Sequence, residues 1–151
     1  MQVSAKVDYA VRALLEIATS DSSRLTRDEL ATAQDIPPRY LEVVLTDLRH
    51  AGLLLGHRGA SGGYSLGREA DRITVADVAR VVDGPLALVQ GVRPEDVTYT
   101  GSSVHLHELW IGLRAAVRSV LEGVTIADLA VGYLPPAVRS LVDDSDAWLP
   151  R

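Results

Sequence analysis

The chain has 151 residues, of which 47% are hydrophobic and 23% charged, and its formal net charge is −5. This size and composition predict one globular domain, and no apolar run is long enough to span a membrane. The sequence contains no cysteine, which excludes disulfides and thiolate metal sites. Because residues 1–6 also lack the basic and apolar regions of a signal peptide, we expect a cytoplasmic protein with no membrane partner.

The acidic charge is concentrated in the second half of the chain. Residues 1–68 contain eight Lys or Arg and eight Asp or Glu, whereas residues 69–151 contain seven and twelve. A locally basic surface can still attract phosphate, because that attraction depends on nearby charges more than on the total. The net charge therefore does not exclude nucleic acid as a partner.

Two helices are predicted at the start of the chain. The first covers residues 4–19, where apolar residues recur at helical spacing and Ser4 is placed to cap the first turn. The second begins at Thr26, because Thr26 and Glu29 have the spacing of a capping box, and it ends near Gln34.

A third helix and a hairpin follow. Pro37 or Pro38 can open the helix, since a proline there gives up only an amide that had no partner, and residues 51–52 end it. Strands are predicted over residues 53–55 and 64–66, with Gly62 and Gly63 supplying positive φ between them. This order predicts a mainly α fold with a small β-hairpin, a winged helix-turn-helix. The predicted buried stripe of the third helix is Tyr40, Leu41, Val44, Leu45 and Leu48.

The second half contains one long helix among shorter ones. A helix capped at Thr74 stops at residues 83–85, and an irregular stretch continues to residue 102. The long helix is predicted over residues 103–122, and its heptad seam requires a second helix to cover it. Short helices from Thr125 and over residues 135–142 precede an acidic tail. We expect a homodimer that buries Leu106, Leu109, Trp110, Leu113, Val117 and Val120.

These elements predict four parts of the chain. A winged-helix DNA-binding domain is expected over residues 1–83 and a loop region over 84–102. A dimerisation helix is expected over 103–123. Short helices that pack back, followed by the acidic tail, are expected over 124–151.

The third helix has the residue types that read base edges in a major groove. Arg39 can contact guanine in bidentate fashion, Glu42 can accept from cytosine, and Pro38 or Val43 can meet a thymine methyl. Thr46 can contact a base or a phosphate. In the wing, Arg58 is a side chain that a narrow minor groove attracts. The alternative for the third helix is an ordinary amphipathic core helix. The alternative for the wing is a hairpin that is only flexible.

Other motifs predict neither catalysis nor metal binding. His105 and His107 lie two residues apart, so on a helix they point to different sides and are not expected to share an ion. Asp8 and Arg12 have the spacing of a surface ion pair. The sequence has no nucleophile elbow, Walker loop or dinucleotide fingerprint, so we predict that the protein is not an enzyme.

Several segments together resemble a known family. Residues 4–14, 36–48, 58–67, 73–78 and 107–110 are similar to the Rrf-type winged-helix regulators, the bacterial family of IscR, NsrR and CymR. The resemblance implies a homodimer that binds a pseudo-palindromic operator, and we expect a repressor. The residues expected to face double-stranded DNA are Lys6, Tyr9, Pro38, Arg39, Tyr40, Glu42, Val43, Thr46, Arg58, Gly59, Ser61, Gly62 and Gly63.

The chain departs from the family where the signal is sensed. Cluster-binding members carry three cysteines before the long helix, whereas residues 88–104 contain none, although His107 falls where those members have a histidine ligand. A lone imidazole does not hold an iron–sulfur cluster. We therefore expect no cofactor and no metal.

Three ways of regulating the protein's activity remain open at this point. One is a small-molecule effector near residues 86–92, with Tyr99, His107 and Trp110 in its pocket. Another is a protein partner, and a third is control by the regulator's own concentration. An alternative function is a dimeric protein-interaction module that keeps the winged fold without reading DNA and is controlled by a partner protein.

Overall fold

Seven α-helices and one β-hairpin make up the part of the chain that the computed structural model describes, residues 2–150. Short 3-10 turns interrupt the connections between them. The elements are α1 (Ala5–Thr19), α2 (Arg27–Gln34), α3 (Pro38–His50), β1 (Leu54–His57), β2 (Gly63–Leu66), α4 (Val75–Asp83), α5 (Leu106–Leu121), α6 (Ile126–Ala130) and α7 (Pro136–Asp143). Within these residues, no helix is both long and apolar enough to cross a lipid bilayer.

Local side-chain caps fix where four of the helices begin. The Ser4 hydroxyl accepts from the Val7 amide at the start of α1. At α2, the Thr26 hydroxyl accepts from the Glu29 amide and the Glu29 carboxylate accepts from the Thr26 amide, which confirms the predicted capping box. Thr74 and Thr125 make the same reciprocal contacts at the start of α4 and α6.

The hydrophobic core lies where α1, α2 and α3 meet the hairpin and α4. Helix α3 contributes Leu41, Val44, Leu45 and Leu48, all fully buried at helical spacing. Ile126 of α6 enters the same core, and its amide donates to the Ile73 carbonyl at 2.9 Å. The segment after α5 therefore returns to pack on the helices at the start of the chain.

The hairpin pairs β1 with β2 in antiparallel register, with His57 opposite Gly63. Leu25, just before α2, extends this small sheet by exchanging two backbone hydrogen bonds with Tyr64. Gly59 and Gly63 adopt positive φ, whereas Gly62 does not, so the prediction of positive φ at Gly62 was wrong. Gly62 is instead required for space, because a Cβ there would lie 2.7 Å from the His57 carbonyl oxygen.

Two further differences from the sequence prediction concern Tyr40 and the start of the long helix. Tyr40 is 64% exposed, so its assignment to the buried stripe of α3 was wrong, because that stripe begins one residue later at Leu41. The long helix begins at Leu106 instead of residue 103. Residues 101–103 form a separate 3-10 turn, with Gly101 at φ +61°.

Candidate nucleic-acid interface

The amino-terminal end of α3 presents an exposed surface opposite the core. Pro38, Arg39, Tyr40, Glu42 and Val43 are all exposed, and Thr46 one turn later is half-buried. Because the core residues of α3 anchor the opposite face, this end is free to enter a groove without disturbing the packing. The residues that the sequence predicted to face DNA on this helix are therefore exposed, except for the half-buried Thr46.

Two of these residues are already engaged within the protein. The Glu42 carboxylate pairs with Arg27 at the start of α2, with 3.4 Å between Oε2 and Nη1. The Thr46 hydroxyl donates to the Glu42 carbonyl oxygen at 2.8 Å. Glu42 is thus held towards α2, and the Thr46 hydroxyl retains its lone pairs to accept a hydrogen bond.

Arg27 is a residue of this surface that sequence reasoning missed. It also pairs with Asp28, 2.9 Å away, and that hydrogen bond and the Asp28 charge raise the pKa of the Arg27 guanidinium above its ordinary value. Like any arginine it is permanently charged, and it lies beside the exposed end of α3.

The wing loop, residues 58–62, projects beyond the paired strands. Arg58, Gly59 and Ser61 are exposed, and the His57 ring lies 2.8 Å from the Ser65 hydroxyl at the base of the loop. Arg24 was also missed from the sequence: its guanidinium donates to the Ser61 carbonyl oxygen at 3.3 Å. The pairing of Leu25 with Tyr64 brings Arg24 to the wing, and no local pattern signals that long-range contact.

Helix α1 carries two of the predicted DNA-facing residues, Lys6 and Tyr9. Lys6 is exposed, and Tyr9 is half-buried and lines a depression together with Arg27, Pro37 and Pro38. The Arg12 guanidinium lies 5.7 Å from the centre of the Tyr9 ring and pairs with Asp8 at 3.1 Å, as the sequence predicted for Asp8 and Arg12. The structure therefore brings Tyr9 beside the start of α3.

The predicted effector residues are only partly brought together. An apolar cavity of about 350 Å³ lies between the loop after α4 and α5, and Trp110 lines it with Leu113 and residues 87–90. Tyr99 and His107 are not among its lining residues. Within residues 2–150 the Trp110 indole nitrogen is buried and finds no hydrogen-bond partner.

Helix α5 leaves a broad apolar face uncovered. None of its residues is fully buried, and Leu106, Leu109 and Leu113 are 37%, 57% and 37% exposed. Trp110, Val117 and Val120 are half-buried beside them. A contiguous exposed apolar face of this kind is typical of a protein interaction site.

The residues of this chain do not fit an iron–sulfur cluster. Within residues 2–150, no three His, Asp or Glu side chains come close enough to hold a metal ion. His105 lies 3.8 Å from Glu108 on the surface, while His107 is half-buried on another side of α5. Without any thiolate in the sequence, the donor set lacks the ligands that such clusters require.

A capped helix pair, an exposed third helix and a glycine-rich wing define a winged helix-turn-helix protein of the DNA-binding class. The family model described as "Iron-dependent Transcriptional regulator", Rrf2, matches residues 3–132, and the chain belongs to this Rrf2 family of transcriptional regulators. Membership makes it a DNA-binding regulator and not an enzyme. The expected family and fold are thereby confirmed.

Similar sequences and solved structures agree with this assignment. A Mycobacterium tuberculosis protein, provisionally named an HTH-type transcriptional regulator, is 48% identical over 145 residues, which are 95% of this chain and 90% of that protein. The solved structure of CymR, the global cysteine regulator of Bacillus subtilis, matches with a TM-score of 0.73 and 35% identity, covering 87% of this chain and 97% of CymR. IscR of T. potens matches with a TM-score of 0.69 and 28% identity over 100% of this chain and 93% of its own.

Proposed function

We propose that this protein is a homodimeric repressor that binds a pseudo-palindromic operator in the cytoplasm. The observation that carries the proposal is the position of the segment from Arg24 to Arg27. Arg27 contacts Glu42 on α3, and Arg24 contacts Ser61 in the wing, so this segment joins the two DNA-facing elements into one surface. A helix and a wing joined in this way match a docking geometry in which the helix enters a major groove and the wing lies beside it.

The charge of this surface suits a phosphate backbone despite the acidic total. Arg24, Arg39 and Arg58 are exposed on it, and Arg27 is half-buried beside them. Two carboxylates, Asp28 and Glu42, pair with Arg27. The remaining three arginines are available for phosphates or base edges, which supply positioning and sequence readout respectively.

The uncovered face of α5 supports the homodimer. Two such faces packed against each other would bury Leu106, Leu109 and Leu113 from both copies. The two-fold axis of that pairing would place two recognition helices on successive turns of the operator, which is the reason to expect a pseudo-palindrome.

The signal is proposed to be something other than an iron–sulfur cluster. The absence of thiolate ligands and of a metal-binding cluster within residues 2–150 argues against an iron–sulfur cluster. The two cavities favour regulation by a small molecule that binds between the winged domain and α5. Control by a protein partner is the competing proposal, and recovery of a specific second protein with the regulator from cell extract would support it.

A titration of the protein with labelled DNA from its own upstream region, at two salt concentrations, tests the function. We expect saturable binding that weakens steeply with salt, because bound phosphates release counterions. Arg58→Ala should weaken binding to all sequences and reduce the salt slope by about one unit per protomer. Arg139→Ala on α7, an equally exposed arginine on another element, is the matched control and should leave both unchanged.

The same titration separates the alternative function. An interaction module would show no preference for the upstream region over unrelated DNA, and Arg58→Ala would leave its weak binding unaltered. That result would overturn the proposal.

A further inference from the structure

A second cavity, here called the arginine cavity, lies between the end of α4 and α5 and is distinct from the apolar cavity at Trp110. Its volume is about 360 Å³, and it is lined by residues 84–86 and by Arg80, Arg93, Glu95, Arg114 and Arg118. Four guanidinium groups therefore converge on one small space in a protein whose net charge is −5.

Carboxylates neutralise only part of this charge. Arg114 pairs with Glu95, and Glu122 pairs with both Arg80 and Arg118. Asp77 lies 3.9 Å from Arg80. The four arginines thus face three carboxylates. Within the described part of the chain Arg93 forms no direct side-chain ion pair, although its charge helps to lower the pKa of the Glu95 carboxyl. The cluster carries excess positive charge.

The arginines are also held in position. The hydrogen bonds from Arg118 and Arg80 lower the pKa of the Glu122 carboxyl, so this carboxylate stays ionised and anchors both side chains. Each guanidinium has five N–H donors in a rigid fork, and one or two carboxylate contacts leave most of them unused. Such forks match the oxygens of phosphate and carboxylate groups.

We infer that the arginine cavity binds a small anionic metabolite, one whose phosphate or carboxylate oxygens are held by Arg93, Arg114 and Arg118. The volume lies at the low end of small-molecule sites, which suits a metabolite. The Glu95 carboxylate on Arg114 repels an anion that approaches the same guanidinium, so it competes electrostatically with the ligand.

The location gives this binding a regulatory consequence, and this part rests on the proposed function. Helix α4 is anchored in the winged domain by Ala76, Val78 and Ala79, whereas α5 is the proposed dimerisation helix. The arginine cavity lies between residues 84–86, which directly follow α4, and Arg114 and Arg118 of α5. An anion held there by Arg93, Arg114 and Arg118 favours one spacing of the two recognition helices. Operator affinity changes by as much as the ligand discriminates between the two arrangements.

Fluorescence titration tests the binding directly, with inorganic phosphate and citrate as separate probes at constant ionic strength. Trp110 lies one helical turn from Arg114, and the background protein carries Trp148→Phe to remove the exposed tryptophan of the C-terminal turn. We expect a saturable signal for at least one probe. If only phosphate saturates, the ligand is a phosphate compound, and if only citrate does, it is a carboxylate.

Three variants separate a ligand site from a structural ion-pair cluster. Arg93→Gln should weaken binding about tenfold, the loss of one charge-assisted contact. Glu95→Gln should tighten it, because the competing carboxylate is gone. Arg139→Gln, an exposed arginine outside the cavity, should bind as the unaltered protein does. Absence of saturation by both probes, or equal binding by all three variants, would overturn the inference.

The operator titration keeps this inference separate from the proposed function. If the anion binds and operator affinity does not respond to it, the site stands and its regulatory role fails. If the protein binds no operator, the anion titration is still interpretable, because it requires no DNA.

Discussion

Leu25 and Tyr64 exchange two backbone hydrogen bonds, with the Tyr64 amide 2.7 Å from the Leu25 carbonyl oxygen and the Leu25 amide 3.1 Å from the Tyr64 carbonyl oxygen. This exchange attaches the wing to the residues that lead into α2. It thereby links the wing to the helix-turn-helix, which carries the other proposed DNA-reading element.

The first prediction concerns the glycine beside this link. Gly63 adopts φ +134°, and a Cβ there would lie 2.7 Å from the Leu25 carbonyl oxygen. Gly63→Ala should lower the free energy of unfolding by about 2 to 4 kcal/mol, because strain and backbone conflict add. Chemical denaturation measures this loss.

A second wing glycine supplies the control for that prediction. Gly59 also has positive φ, but nothing lies within 4 Å of its added Cβ. Gly59→Ala should cost about 1 kcal/mol from conformational strain alone. Equal losses in the two variants would show that the contact with Leu25 is unimportant.

The second prediction concerns base readout by Glu42. Its pair with Arg27 is exposed, so Glu42→Gln should change stability by less than about 1 kcal/mol. A glutamine amide prefers adenine, whereas a carboxylate accepts only from donors such as the cytosine amino group. Selection from a randomised operator pool should therefore shift the preferred base at one position in each half-site. Glu69→Gln, at an exposed position before α4, should select the unaltered operator.

Local chemistry explains what the sequence predicts well in this protein. The reciprocal hydrogen bonds between Thr26 and Glu29 depend on a spacing of three residues. The start of α2 is therefore predictable from the local sequence alone. The same holds for Thr74 with Asp77 at α4. The buried face of α3 follows from apolar periodicity over one element, except at its first residue, Tyr40.

Contacts between distant residues explain what the sequence did not reveal. Arg24 and Ser61 are 37 positions apart and meet only because Leu25 pairs with Tyr64. Arg80 and Glu122, 42 positions apart, meet where α4 and α5 come together. The arginine cavity arises from such contacts, so composition and periodicity carry no sign of it. The pocket roles of Tyr99 and His107 stay predictions.

The third prediction concerns the proposed dimer interface. Leu109 lies on the uncovered face of α5 and is 57% exposed. Leu109→Asp places a charge in the proposed seam, where pairing with the twin helix would have to bury it without a partner. Size-exclusion chromatography with light scattering should show the unaltered protein as a dimer and this variant as a monomer.

Leu55→Asp is the matched control for that experiment. Leu55 is 50% exposed on β1, away from α5, so an aspartate there should leave the dimer intact. A monomer at every concentration of the unaltered protein would contradict the proposed assembly. Dissociation by both variants would place the interface elsewhere or show a general loss of folding, which circular dichroism distinguishes.

The last prediction concerns acid stability at the start of α2. Hydrogen bonds from the Thr26 amide and hydroxyl lower the pKa of the Glu29 carboxyl below its ordinary value. A carboxyl whose pKa is depressed on folding contributes stability that is fully present above the unfolded value, about 4.3, and is lost as the pH falls through the folded value. Glu29→Gln, which can still complete a capping box, should therefore flatten the decline of stability below about pH 4.3. Denaturation midpoints measured across this range give the slope of stability against pH. The control variant Glu69→Gln should show a steeper slope than Glu29→Gln.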